Sequence, residues 1–225
     1  MWLISLKTNR TGINFYVSRN EAAAPMMAEA YSKALNKIAA VCVTAGPGAT
    51  NAIPGLAEAY VDSAPIIILS GQVEKKFTTS NYKNYDIRSF GIAEFSITDA
   101  IKKFTKYSVT IKNPYDCLYE LEKAIYLAQQ GRKGPVWIEI PLDVQSYVIV
   151  DKKKLKKFKK PKINKKKIKL DNFFKVFKKS KKPIFILGNG IKQSDTKKIF
   201  NQINDRLKIP FFTSRFGIDL FPYSK

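Results

Sequence analysis

The stretch Thr44-Ala45-Gly46-Pro47-Gly48-Ala49-Thr50-Asn51 places two glycines between an apolar run ending in Val41-Cys42-Val43 and an alanine-rich stretch of helical composition. A strand running into glycines and then into a helix lets backbone approach a ligand closely. Two phosphate cradles do not fit. No Lys-Ser/Thr follows at the spacing of a Walker loop. Asn51 stands where a dinucleotide fingerprint carries its third glycine, and no acidic residue ends a second strand to hold a ribose. On these residues alone the turn is either a ligand edge or a plain connection. The absence of histidine from all 225 residues removes Ser/His/Asp triads, Cys/His pairs and histidine metal ligands. Cys42 and Cys117 make neither a disulfide framework nor a metal set.

The elements that must position this turn read as an α/β pattern. Ile13 to Ser18 alternates like a short strand, and Glu21 leads into an Ala-rich helix with Pro25 near its first turn. Residues 39–44 read as a buried strand, 51–62 as a helix and Pro65 to Gly71 as another apolar strand. A polar, irregular region covers Glu74 to Ser96. A helix end and a strand follow in 100–111, and 114–134 reads as an amphipathic helix stopped by Gly131 and Gly134. Tyr115, Leu118, Leu121, Ile125 and Ala128 form its expected inner stripe. Residues 135–141 supply a closing strand. Strands separated by crossover helices predict a parallel sheet.

Net charge is +22, and its distribution matters more than its size. Between Asp151 and Lys182 stand 17 lysines against two aspartates, so the segment carries most of the charge. It reads as a solvated interdomain linker holding a short amphipathic helix, with Leu170, Phe173, Phe174 and Phe177 on one face; nucleic-acid or anionic-membrane contact is the lesser reading. Nucleic acid is therefore not an expected partner. No apolar run reaches the roughly 18 to 20 residues of a membrane span, and no signal peptide is apparent. The expected location is cytoplasmic, with no membrane partner. Past the linker, Pro183 to Ile191 is a new strand running into a glycine turn, followed by helix and by residues 209–214 as a strand. The expected organisation is a domain over 1–150, a linker over 151–182 and an incomplete second domain over 183–225.

The segment VCVTAGPGATNAIPGLAEAYVDSAPIIILSGQV (41–73) resembles the amino-terminal, pyrimidine-binding domain of thiamine-diphosphate-dependent enzymes of the acetolactate synthase type. Asn20-Glu21 with its Ala-rich helix, ITDAIKKFTKYSVTI, AIYLAQQGRKGPVWIEIPLDVQ and PIFILGNGI resemble the same family in collinear order. The resemblance implies a three-layer parallel-sheet domain followed by part of a Rossmann-like central domain. It implies Glu21 as the catalytic carboxylate at N1′ of the cofactor's aminopyrimidine, favouring the imino tautomer that deprotonates thiazolium C2. Burial between two subunits would raise the Glu21 pKa toward that task. On the residues alone, a glutamate in a first helical turn merely complements the helix dipole.

By the same resemblance Gly46, Pro47, Gly48, Thr50 and Asn51 lie against the pyrimidine. The diphosphate and Mg²⁺ belong to a carboxy-terminal domain that opens with Gly-Asp-Gly, a motif missing from this sequence. Asp86, Asp99 and Asp143 lack its setting, so no residue here is assigned to metal. FAD is possible in the full enzyme. A 2-oxo acid is the implied substrate, with branched-chain amino acid biosynthesis as the default setting. The segment 88–111 also resembles relatives associated with surface-polysaccharide sugar synthesis, which leaves the substrate open. The implied partner is a second copy or a chain carrying the missing domain. A non-catalytic remnant or dimerisation module is the alternative. Three departures stand out: Asn20 where the family often has His, Ala93 where it commonly has Gln before Glu, and only 20 residues ahead of Glu21. These suggest a sheet lacking a strand and a chain cut at both ends.

Overall fold

A computed structural model describes residues 12–82, 87–162 and 168–221. The chain divides into two compact units, the first ending at Lys160 and the second beginning at Pro161. The first unit is built on four parallel strands: β1 (Ala39–Val43), β2 (Ile66–Gln72), β3 (Tyr107–Thr110) and β4 (Val136–Pro141), in the order β1-β2-β4-β3. Side chains alternate across a strand, and here both faces are apolar. Ile66, Ile68 and Trp137 point to one side and Ile67, Val136 and Ile138 to the other, with Ile68 level with Trp137 and Ile67 level with Val136. The first side is covered by α1 (Ala23–Leu35) and α3 (Ile53–Val61), the second by α5 (Cys117–Gln129). Between them lie two short helices, α2 (Pro47–Asn51) and α4 (Ile97–Ala100), and α6 (Leu142–Gln145) follows β4. The result is a three-layer α/β unit of the expected class.

Burial on both faces explains why β4, the last strand in sequence, does not close the sheet but lies between β2 and β3. A nearly continuous apolar run belongs at the centre of a parallel sheet. Trp137 fits there because its indole N–H donates to Ser70 Oγ at 2.8 Å. The helices come close because their contact residues are small: Ala28, Ala52, Ala59 and Gly55. α1 keeps Pro25 buried in its first turn and stops at Asn36, which takes a left-handed conformation (φ 54°). Lys33 ties α1 to the end of α3, pairing with Glu29 at 3.1 Å and Asp62 at 2.5 Å.

Four local expectations are corrected. Ile13 to Ser18 is not a strand; Ile13, Tyr16 and Val17 are exposed and the segment takes no place in the four-stranded sheet. β1 is only partly buried, since it is an edge of the described sheet and Ala40 and Cys42 face solvent. The helix expected over 51–62 is α3, starting at Ile53, and a separate short helix not expected, α2, precedes it from Pro47 inside the glycine turn. In α5 the inner residues are Cys117, Ala124, Leu127 and Ala128, while Leu121 and Ile125 are exposed. Alanine lets α5 lie close to the sheet, and that rotates the larger residues outward.

The start of the lysine-rich segment runs along α5. The Lys156 N–H donates to Tyr115 O at 3.1 Å, the Phe158 N–H donates to Glu122 Oε2 at 2.8 Å, and the Phe158 ring meets Tyr119 and Tyr126. The second unit contains α7 (Asp171–Lys179), β5 (Phe185–Leu187), α8 (Gly190–Gln193), α9 (Lys197–Leu207) and β6 (Phe211–Thr213). β5 and β6 pair in parallel, and Phe200 packs edge-on against Phe185 and Phe211 beside Leu187 and Leu220. Among the described residues no helix is long and apolar enough to cross a membrane.

A Cβ on Gly55 would lie 2.9 Å from Pro25 Cβ, 3.0 Å from Met26 N and 3.1 Å from Ala22 O. Gly55→Ala gains about 1 kcal/mol of helix propensity, but overpacking costs about 1–3 kcal/mol, and the crowded partners are mostly backbone. The substitution is expected to lower the urea midpoint by the equivalent of about 1 kcal/mol; an unchanged or raised midpoint would show that α1 yields freely.

Candidate functional site at the glycine turn

β1 ends at Val43, and three residues later Gly46 turns the chain with φ +57° and ψ −119°. A side chain there would be strained in backbone and would also collide, because a Cβ would sit 2.2 Å from Ala93 O. α2 then starts on Pro47, whose fixed φ suits a first helical position and whose missing N–H costs nothing there. Gly48 faces the other way. A Cβ on it would sit 2.5 Å from Thr44 Cγ2 and 3.5 Å from Glu21 Oε1, so glycine lets the Thr44 methyl pack against the start of α2 beside the carboxylate.

Glu21 lies in the turn that leads into α1, and Asn51 holds it from the end of α2. The Asn51 amide nitrogen donates to Glu21 Oε2 at 3.0 Å and to Asn20 Oδ1 at 3.2 Å. Asn20 Oδ1 also accepts from the Ala22 N–H at 2.7 Å, and the Ser18 hydroxyl donates to Asn20 O at 2.9 Å. Asn20 therefore shapes the turn that presents the carboxylate, as short polar side chains do when they bond backbone two residues on. The hydrogen bond from Asn51, and then that from the Glu21 backbone N–H, hold the Glu21 carboxyl below its usual range, against a smaller opposing effect of burial. Glu21 is half-buried, with Oε1 toward Gly48.

The structure thus brings Glu21, Gly48 and Asn51 together. Pro47 is exposed at the head of α2, while Gly46 is pinned on the opposite side of the turn beneath Ala93. The Thr50 hydroxyl is directed back to Pro47 O at 3.1 Å, within the helix. Thr44, whose methyl lies against Gly48, is not singled out by the sequence; its place immediately ahead of the turn is the available signal. Of the aspartates weighed for metal, Asp99 pairs with Lys102 and Asp143 with Lys75, and Asp86 lies outside the described residues. Among the described residues no group of three or more His, Cys, Asp or Glu side chains is placed to hold a metal ion. The arrangement offers a half-buried carboxylate held in one direction beside a backbone without a side chain, which suits a flat ring bearing a basic nitrogen.

Residues 2–92, which include Glu21 and the whole turn, match the family model described as thiamine pyrophosphate enzyme, N-terminal TPP binding domain. Acetolactate synthase large subunits align beyond that stretch. That of Haemophilus influenzae is 33% identical over 217 residues, covering 94% of this chain and 36% of its own. That of Lactococcus lactis is 32% identical over 233 residues, covering 96% and 36%.

The chain belongs to the thiamine-diphosphate-dependent enzymes of the acetolactate synthase type.

The large subunit of acetolactate synthase isozyme 3 from Escherichia coli is similar as well, 30% identical over 217 residues. This thiamine-diphosphate family member spans about a third of the length of the curated relatives it matches, 36% in each of these three.

Removing the Asn51 amide should let the Glu21 carboxyl rise toward the ordinary glutamate value. Because the shift in the intact protein is downward, whatever stability it confers is present above the unfolded-state pKa and lost as pH falls through the folded one. In a carboxyl-carbon NMR titration, Glu21 of Asn51→Ala is expected to titrate at higher pH than in the unaltered chain. An equal or lower midpoint would remove Asn51 as the cause.

Proposed function

We propose that this chain forms the pyrimidine-binding side of a thiamine-diphosphate-dependent carboligase or decarboxylase acting on a 2-oxo acid, with Glu21 as its catalytic carboxylate. The observation that carries the proposal is the convergence of Glu21, Asn51 and Gly48, with the Asn51 amide holding the carboxylate in one direction beside a residue without a side chain. Thiamine diphosphate, when bound, supplies a nucleophilic carbon for cleavage beside a carbonyl. Glu21 holds a proton at the ring nitrogen facing it, Asn51 fixes the carboxylate's direction, Gly48 keeps any side chain from pushing Thr44 or the carboxylate aside, and Thr44 and Pro47 line the approach.

A second copy of the chain is the proposed partner. α1, which Glu21 introduces, leaves Met26, Met27 and Tyr31 exposed, an apolar face suited to burial against a like surface. Covering Glu21 would remove water and push its pKa up, opposing the hold of Asn51 and moving the carboxyl toward acid–base duty near neutral pH. The diphosphate and its Mg²⁺ are assigned to a further domain, in a partner chain or a longer reading frame; the length of the relatives supports this. Acetolactate formation from pyruvate is the default reaction, since the similar proteins carry that name.

The test combines the chain with a protein supplying the diphosphate domain, and measures pyruvate consumption alongside cofactor binding by calorimetry. Glu21→Gln should lower the rate by about 10²- to 10⁴-fold while weakening cofactor binding far less. Equal rates for both proteins would take Glu21 out of the chemistry. Absence of cofactor binding by the unaltered pair would favour a non-catalytic dimerisation module.

A further inference from the structure

The carboxyl ends of the strands hold a second group of polar residues, behind the glycine turn. Glu139 on β4 is only 3% exposed and accepts hydrogen bonds from both neighbouring strands: from Gln72 Nε2 on β2 at 2.9 Å and from Thr110 Oγ1 on β3 at 2.6 Å. Thr110 in turn lies 3.2 Å from Thr98 Oγ1. The Gln72 amide is fully committed. Its oxygen accepts from the Val73 N–H, and its nitrogen donates both to Glu139 and to Phe95 O, each at 2.9 Å. Phe95 belongs to the 91–96 loop, whose Ala93, itself left-handed at φ 58°, sets its carbonyl on Gly46. An unbroken path therefore leads from Glu139 through Gln72 and the loop to the turn.

We propose that Glu139 is a positioning residue: through Gln72 it fixes the 91–96 loop, which in turn holds Gly46 and the ligand turn in place. The charged groups facing it are Glu94 from the loop and Asp99 from α4, whereas β2 and β3 present only neutral Gln72 and Thr110. Glu94 is 6% exposed, with Oε1 accepting from Thr79 and Oε2 buried without a partner. Two buried carboxylates disfavour being charged together. Burial first, and then Glu94 and Asp99, push Glu139 up to about 7, against the bonds from Thr110 and Gln72. In the neutral form one Glu139 oxygen accepts from Gln72 and the other donates to Thr110, whose hydroxyl turns to Thr98. Every partner then remains satisfied.

The pH dependence follows from a pKa raised in the closed loop relative to the open one. The closed state has its full advantage below the ordinary glutamate pKa, about 4.3, and loses it as pH rises toward and through about 7. Glu139→Gln keeps the neutral hydrogen-bonding pattern and cannot ionise.

The test is amide hydrogen exchange on the full chain, without cofactor, comparing this variant with the unaltered protein at matched pH so that intrinsic exchange chemistry cancels. The reporters are Glu94 N–H and Ile97 N–H, which bond within the loop region, and Thr50 N–H, which bonds to Gly46 O. The ratio of exchange rates, unaltered over Glu139→Gln, is expected to climb between pH 5 and 7 by up to about tenfold per unit, then level off. Amides of β2 and β4 should move less. Glu139→Ala should open the loop at every pH. A ratio independent of pH, a change spread evenly over the sheet, or a loop as protected in Glu139→Ala as in the unaltered chain would each overturn the proposal. The proposal rests on the reading of the turn as a ligand site only for its functional meaning. Because no cofactor enters the measurement, failure of the thiamine reading leaves this result intact.

Discussion

The pairing of β2 with β4 is the constraint on which the rest of the first unit depends. Both strands are buried on both faces, so neither can move without exposing apolar side chains to water, at roughly 25 cal/mol per Å². β1 and β3 are added to their outer edges, and the helices cover what remains. In a parallel sheet the strand ends that carry function point one way. Here that end brings together the turn after β1, Gln72 at the end of β2, Thr110 on β3 and Glu139 on β4. Rigidity at the centre of the sheet thus becomes positional precision at one edge.

Precision there also depends on small residues. Gly55 lets α3 approach α1, and α1 in turn fixes where Glu21 stands. Gly46 and Gly48 serve different neighbours within three residues, one yielding its side-chain volume to the Ala93 carbonyl and the other to the Thr44 methyl beside the carboxylate. Asn51 and Asn20 supply the direction that glycine cannot. A site of this kind works by excluding atoms as much as by placing them, since each missing Cβ marks where another group must come close.

Much of this architecture is readable along the chain because the signals are local. Apolar runs at 66–72 and 136–141 identify strands, and the glycines between strand and helix mark the turn as a ligand edge or a plain connection. The inner face of α5 was misread because large apolar residues suggest a buried stripe, whereas a helix lying close to a sheet turns its alanines inward. Ile13 to Ser18 has strand-like alternation, yet alternation alone does not supply a neighbouring strand. Glu139 was hidden altogether: its partners Gln72 and Thr110 lie 67 and 29 positions away, a distance no motif spacing encodes. The role of Asn20 is likewise invisible, because its side chain bridges Ala22, two residues on, and Asn51, which only folding brings near.

In the second unit, Ile186 and Phe212 face each other across the β5–β6 pair, and both are largely exposed, at 80% and 63%. They form an apolar patch in a different unit from the exposed apolar residues of α1. Each unit therefore presents its own apolar surface to solvent. A particle of twice the mass is accordingly not by itself a sign that the α1 face is covered.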